Sequence, residues 1–209
     1  MNRARDKSLA RFPGRTGAAL CPEDLGEVRT AVVLFTDIRH FSRLAEQISL
    51  LDLRRFLNDF VRLLVEAVET RGGMVNKFAG DGALALFASD SLEAAACAAL
   101  AGCAAFRKLC AARKQENPVF AGLDLAAGLH QGEVFLGNIG GKGYYDFTAI
   151  GSTVNVAQRL AADAPEGGVY CSAAVQGKLD AAQFPAHPLG TCHPRGMSAE
   201  LDLFRLQEV

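Results

Sequence analysis

Apolar residues recur along this chain at two different periods, and the switches between them lay out its elements. TAVVLFTDI, residues 30–38, is a short apolar run rich in β-formers and predicts a buried strand. In LLDLRRFLNDFVRLLVEAVETRGG, residues Leu53, Phe56, Leu57, Phe60, Leu63, Leu64, Ala67 and Val68 fall at helical spacing, and Gly72 and Gly73 stop the helix. MVNKFAGDGALALF then reads as a hairpin turning through Gly80 to Gly82. A long helix follows from about Leu92 to Arg113, with Ala, Leu, Cys and Phe on its apolar face. LDLAAGLHQGEVFLGNIG predicts two strands broken at Gln131 and Gly132, and YYDFTAI another strand. STVNVAQRLAADA predicts a helix with Ser152 as its N-cap, and short strands near GGVYCS and AELDLFRL finish the chain.

Residues 1–29 carry Pro, Gly and scattered charge without periodicity, so they read as an arm or linker ahead of one domain over residues 30–209. No internal repeat is visible. Strands and helices alternate with hairpins intermixed. That order predicts a mixed-sheet α/β (α+β) sandwich, not a doubly wound parallel fold.

Composition narrows the class. Half of the 209 residues are apolar and 22% are charged, which suits a sizeable globular core. The net charge of -1 argues against a surface built for nucleic acid or anionic lipid. The longest apolar run, Ala94 to Phe106, is too short to span a bilayer and meets Arg107 and Lys108, so no membrane insertion is expected. The first fifteen residues lack the apolar segment of a secretory signal, and a cytoplasmic location is the expectation. The six cysteines show no CxxC spacing, and Cys97, Cys103 and Cys110 sit in an Ala-rich helical pattern as small apolar fillers. Structural zinc and disulfides are therefore not expected.

Chemistry concentrates in the carboxylates. Asp37 ends a predicted buried strand directly before a candidate helix, where backbone N–H groups can bind phosphate oxygens. Asp81 lies between two glycines at the end of a different strand. Two carboxylates on rigid strand ends could hold two Mg²⁺ ions on a polyphosphate. The competing reading is that Asp37 caps the helix and Asp81 serves only its turn. Asn155 and Arg159, spaced i, i+4, share a helical face, and an amide beside a guanidinium suits a ribose or phosphate better than a core. Lys77, on the strand leading to Asp81, could equally be an ordinary solvated residue.

VVLFTDIRHFS, GGMVNKFAGDGALALF and YYDFTAIGSTVNVAQRLA resemble, in order and separation, the three signature blocks of the class III nucleotidyl cyclases. The similarity runs from about Thr30 to the C-terminus. It implies a mixed, largely antiparallel sheet with a ferredoxin-like core flanked by helices. It also implies an adenylate cyclase that converts ATP to 3′,5′-cyclic AMP and pyrophosphate. By resemblance, Asp37 and Asp81, with the backbone carbonyl of Ile38, bind two Mg²⁺ (or Mn²⁺) ions, and Phe41 and its neighbours form the phosphate-binding turn. Asn155 would orient the ribose, and Arg159 would neutralise charge on the α-phosphate, a contact that suits its planar fork.

Lys77 and Thr148 occupy the base-reading positions of the family. A lysine only donates, which suits adenine N1, and the threonine hydroxyl can accept from the exocyclic amine. Guanylate-type members usually carry Glu at the lysine position. The family further implies a head-to-tail homodimer with shared sites, and often a fused sensor domain. Near the C-terminus the family usually has a phosphate-binding lysine before a glycine, where this chain has Arg195 before Gly196. The four histidines have no ligand spacing and read as structural. A cyclase for GTP or a pyrimidine nucleotide is the alternative enzyme. A silent cyclase-like regulatory module would have lost some of Asp37, Asp81, Lys77, Thr148, Asn155 and Arg159, and all six are present.

Overall fold

Strand β1 (Gly26–Arg39) runs through the middle of the sheet and begins four residues ahead of the expected start at Thr30. The structure is a computed structural model that describes residues 26–141, 144–192 and 200–207. After β1 come helices α1 (Phe41–Gln47) and α2 (Leu50–Glu69), the hairpin of β2 (Met74–Ala79) and β3 (Gly82–Ala88), and the long helix α3 (Leu92–Glu116). A single 3₁₀ turn, Pro118–Phe120, leads into β4 (Asp124–Gly141), followed by β5 (Tyr144–Ile150) and helix α4 (Ser152–Ala162). The chain continues with β6 (Gly168–Ser172), one helical turn α5 (Ala173–Gln176), and strands β7 (Ala186–Cys192) and β8 (Leu201–Leu206).

The eight strands make one sheet in the order β2-β3-β1-β4-β6-β8-β7, with β5 paired to β4 off this path. The β4–β6 pair is parallel and the other described pairs are antiparallel, so the sheet is mixed and largely antiparallel as expected. Alternation along β1 splits the core in two. Val32, Leu34 and Ile38 face the larger cluster, where α2 and α3 supply Phe56, Phe60, Leu64, Cys103 and Phe106. Ala31 and Val33 face a smaller cluster with Leu84, Leu86, Leu136 and Ala157, which brings α4 onto the opposite side. The sheet curls around that second cluster, so edge strand β2 comes against β5.

Small residues set the helix heights. Ala95, Ala96, Ala98, Ala99 and Gly102 are all buried on α3, and Gly102 approaches Leu64 of α2. The helix is longer than the apolar run read from the sequence, and by length and composition it would suffice to cross a membrane. Its apolar face is taken up instead by α2 and the sheet.

Three further expectations need correction. β4 is a single strand through Gln131 and Gly132, in register with β1 from Asp124 to Gly137. Gly132 is no break: a Cβ there would stand 2.6 Å from Thr153 Oγ1, so the glycine makes room for α4. Ser152 is the first residue of α4 and not its cap. The capping position is Gly151 (φ 145°), and Thr153 Oγ1 donates to Glu133 O at 2.6 Å to pin the helix start to β4. Strand β7 went unread because Pro188 and Gly190 interrupt its pattern. It lies at the sheet edge, where proline and an irregular register are tolerated.

Candidate active site

Asp37 is not the last residue of its strand, since β1 continues to Arg39. Nor does it cap a helix: α1 has no side-chain cap, and its capping position is His40, held in the left-handed region at φ 65°. Asp37 sits opposite Gly82 on β3 and Ala126 on β4, with its side chain half-buried. The β2–β3 connection is a two-residue turn with Gly80 first (φ 63°), which leaves Asp81 at the second position. A Cβ on Gly82 would press on the Phe35 ring at 3.1 Å and on Thr36 O at 3.2 Å. Gly82 therefore serves the strand pair, while Gly80 faces open space.

The two carboxylates feel one another. Burial, and next the charge of Asp81, push the Asp37 carboxyl above its usual range, and Arg39 partly offsets them. Arg39 Nη1 donates to Asp37 Oδ2 at 3.2 Å and to the carbonyls of Ala161 (3.4 Å) and Ala162 (2.8 Å), so it ties Asp37 to the end of α4. Among the described residues no third His, Cys, Asp or Glu joins the pair to make a ready metal cluster. The donor set is two carboxylates, with the charge of Asp81 acting on Asp37. Such a set fits a hard divalent cation whose shell is completed by water and substrate phosphates. Ile38 is buried as part of the larger core cluster, and Phe41 opens α1 half-buried against the same core.

The base-reading candidates meet where β2 closes on β5. Lys77 Nζ pairs with Asp146 Oδ2 at 2.5 Å. Thr148 is buried, and its hydroxyl donates toward Asn76 Oδ1 at 3.3 Å and Ala149 O at 3.4 Å. Asn76 in turn donates from Nδ2 to Phe147 O at 3.0 Å. Reading the sequence missed Asp146, Asn76 and Arg39. Asp146 carried a signal, because it lies two residues before Thr148 and so on the same strand face. Asn155 and Arg159 do share one side of α4: Asn155 is exposed and Arg159 half-exposed, while Val156, Ala157, Leu160 and Ala161 hold the helix to the sheet. No described hydrogen bond or ion pair joins Asp37 or Asp81 to Lys77, Thr148, Asn155 or Arg159. Arg195 lies outside the described residues, as does His193. Of the other histidines, His130 contacts Ser172 Oγ at 2.7 Å, and burial lowers its pKa, as befits a structural residue.

The sheet is largely antiparallel, with Asp37 two residues before the end of β1, Asp81 in the β2–β3 turn, and Asn155 and Arg159 on the polar side of α4. Residues 25–207 match the adenylate and guanylate cyclase catalytic domain, and the chain belongs to that family. An adenylate cyclase of Anabaena cylindrica is 29% identical over 163 residues, which cover 73% of this chain and 32% of that protein. The chain thus spans about a third of that relative's length. A bacterial light-regulated adenylyl cyclase superposes with a TM-score of 0.78 at 26% identity, covering 90% of this chain and 54% of the other. The guanylyl cyclase Cya2 superposes with a TM-score of 0.77 at 23% identity, covering 87% and 93%, and shares the fold.

Proposed function

We propose that this domain is an adenylate cyclase, converting ATP to 3′,5′-cyclic AMP and pyrophosphate in sites shared across a head-to-tail homodimer. The observation that carries the choice of base is the cluster where β2 meets β5: Lys77, a pure donor, beside Thr148, whose hydroxyl proton points at protein acceptors. That pair matches the ring acceptor and exocyclic amine of adenine. The guanylate reading draws on the fold shared with guanylyl cyclases such as Cya2 and the domain from Catenaria anguillulae, and the glutamate expected of it is absent at position 77.

In this reading Asp37, Asp81 and the Ile38 carbonyl hold two Mg²⁺ or Mn²⁺ ions, which when bound lower the pKa of the ribose 3′-hydroxyl and offset triphosphate charge. Phe41 and the amides after it hold phosphate oxygens, with Arg195 as a further phosphate contact. Asn155 orients the ribose so that its 3′-oxygen lies in line with the α-phosphorus. A bond forms between them, the bond to the pyrophosphate oxygen breaks, and the 3′-hydroxyl proton leaves to solvent. Arg159 neutralises charge gathering on the α-phosphate. Most of the rate gain comes from positioning and charge stabilisation. Fusion to a sensor region, as the partial coverage of the light-regulated cyclase suggests, is part of the same proposal.

The test is turnover of each of the four nucleoside triphosphates with Mg²⁺ or Mn²⁺. Cyclic AMP from ATP is expected, and equal or better kcat/KM for GTP overturns the assignment. Site sharing is tested by coexpressing Asp81→Ala and Asn155→Ala chains under two tags. Each variant alone should be inactive, while random pairing should return roughly a quarter of parental activity. Mixed dimers without activity would sink the shared-site arrangement.

A further inference from the structure

Asn76 occupies a position that the β2–β3 ladder skips. Val75 pairs with Ala85 and Lys77 with Leu84, so Asn76 is the extra residue of a bulge. Bulges re-aim side chains, and this one turns Asn76 away from β3 toward β5. There its amide spans two groups of one strand segment, Phe147 O at 3.0 Å and the Thr148 hydroxyl at 3.3 Å. The Phe147 carbonyl can only accept. It therefore takes the nitrogen of the Asn76 amide and leaves Oδ1 facing Thr148.

We propose that Asn76 is a specificity-determining positioning residue: by accepting the Thr148 proton it makes that hydroxyl an obligatory acceptor toward the nucleobase. The inference rests on the reading of Thr148 as a base contact given above. A threonine hydroxyl has one proton and two lone pairs, so on its own it can answer either an amine or a carbonyl. Here both protein neighbours, Asn76 Oδ1 and Ala149 O, are acceptors, and the proton is claimed by the pair of them. What remains for a ligand is a lone pair. An exocyclic amine satisfies it, whereas a carbonyl at the same place sets oxygen against oxygen at a buried position. Asp146 acts likewise on the other half of the pair, holding the Lys77 ammonium over the same strand. The chemical class selected is a 6-amino purine over a 6-oxo purine.

The experiment compares ATP with inosine triphosphate in the dimeric enzyme. Inosine replaces the 6-amine by a carbonyl and the N1 acceptor by N–H. Lys77 meets the N1 change alike in parent and variant, so a change in the ratio on substitution reports the Thr148 side. The parent should favour ATP in kcat/KM. Asn76→Ala removes the nearer of the two acceptors and leaves only Ala149 O, at 3.4 Å, to hold the proton, so the ATP-to-inosine-triphosphate ratio should fall by about tenfold, the worth of one hydrogen bond. In a Thr148→Val background the same substitution should not change the ratio further, because the two residues act as one unit. Asn76→Leu, which keeps the volume without polar atoms, should repeat the result if the alanine variant folds poorly. Equal losses on both nucleotides, with the ratio unchanged, would make Asn76 a strand-spacing residue and overturn the inference. A parent that turns over GTP and not ATP would instead overturn the adenylate assignment itself, so the two failures are distinct.

Discussion

Gly128 of β4 lies beneath α4, and a single added methyl group there should disturb both stability and turnover. A Cβ at this position would stand 2.1 Å from Ala157 O, 2.8 Å from Ala161 N and 2.8 Å from the Leu160 Cβ. Two of these are backbone atoms, so no side chain can swing aside. To restore an ordinary contact of 3.4 Å, α4 must lift by roughly 1.3 Å, the difference between 3.4 and 2.1 Å. Overpacking of this kind costs about 3 kcal/mol, at the upper end of such changes. In a domain of this size that lowers Tm by about 6–12 °C. The same shift carries Asn155 and Arg159 with the helix, and a displacement near 1 Å in a positioned group costs about 10²-fold in kcat.

Gly102→Ala is the control. Its added Cβ would meet Leu64 at 3.5 Å, an ordinary contact, in the middle of α3. That variant should be neutral or up to about 1 kcal/mol more stable, because alanine favours the helix. Urea unfolding and cyclase turnover of both variants make the comparison. If Gly128→Ala lies within about 0.5 kcal/mol of the parent and keeps its kcat, the inferred height of α4 is wrong.

Asp37→Asn should abolish Mg²⁺-dependent cyclisation by orders of magnitude yet leave stability equal or raised, since burial and Asp81 already disfavour the charged form; turnover within a few-fold of the parent would refute it. Burial pushes the thiols of Cys103, Cys110 and Cys171 up to about 12, above the ordinary 9.0. In alkali the folded state therefore keeps protons that the unfolded state has lost. Their stabilisation is whole below pH 9 and drains away as pH rises toward 12, with on the order of 1 kcal/mol lost at Cys103 by pH 10. Urea unfolding between pH 7 and 10.5 should show Cys103→Ala losing less stability over that range than the parent, and parallel curves would contradict the burial.

Elements with a clean period were legible from the residues. Helix α2 and the β2–β3 hairpin fall where apolar spacing and paired glycines place them, because local pattern and tertiary burial agree there. Gly132 misled because a glycine in a strand looks like a break, whereas its reason lies across space in Thr153. The carboxylates, the lysine and the polar helix face were visible as residue types. Their wiring was not. Arg39 reaches Ala162, and Asn76 reaches Phe147 and Thr148, across separations of 123, 71 and 72 residues. The Asn76 contacts depend on a one-residue bulge that composition does not announce.

Strand β1 also has a mechanical character. It is hydrogen-bonded on both sides, to β3 and to β4, and its ladder with β4 runs unbroken from Gly26 to Arg39. A force applied along its axis loads both ladders in shear, so many bonds must yield together. Edge strand β7, paired among the described residues with β8 alone and interrupted between Pro188 and Gly190, can instead be peeled one bond at a time. Single-molecule pulling should therefore find β1 stiff and β7 weak. Asp37 rides eleven residues along the stiff strand from Gly26, about 36 Å at 3.3 Å per residue. An axial push or twist delivered at Gly26 would then reach that carboxylate as a displacement of the whole strand, with little taken up by stretching on the way.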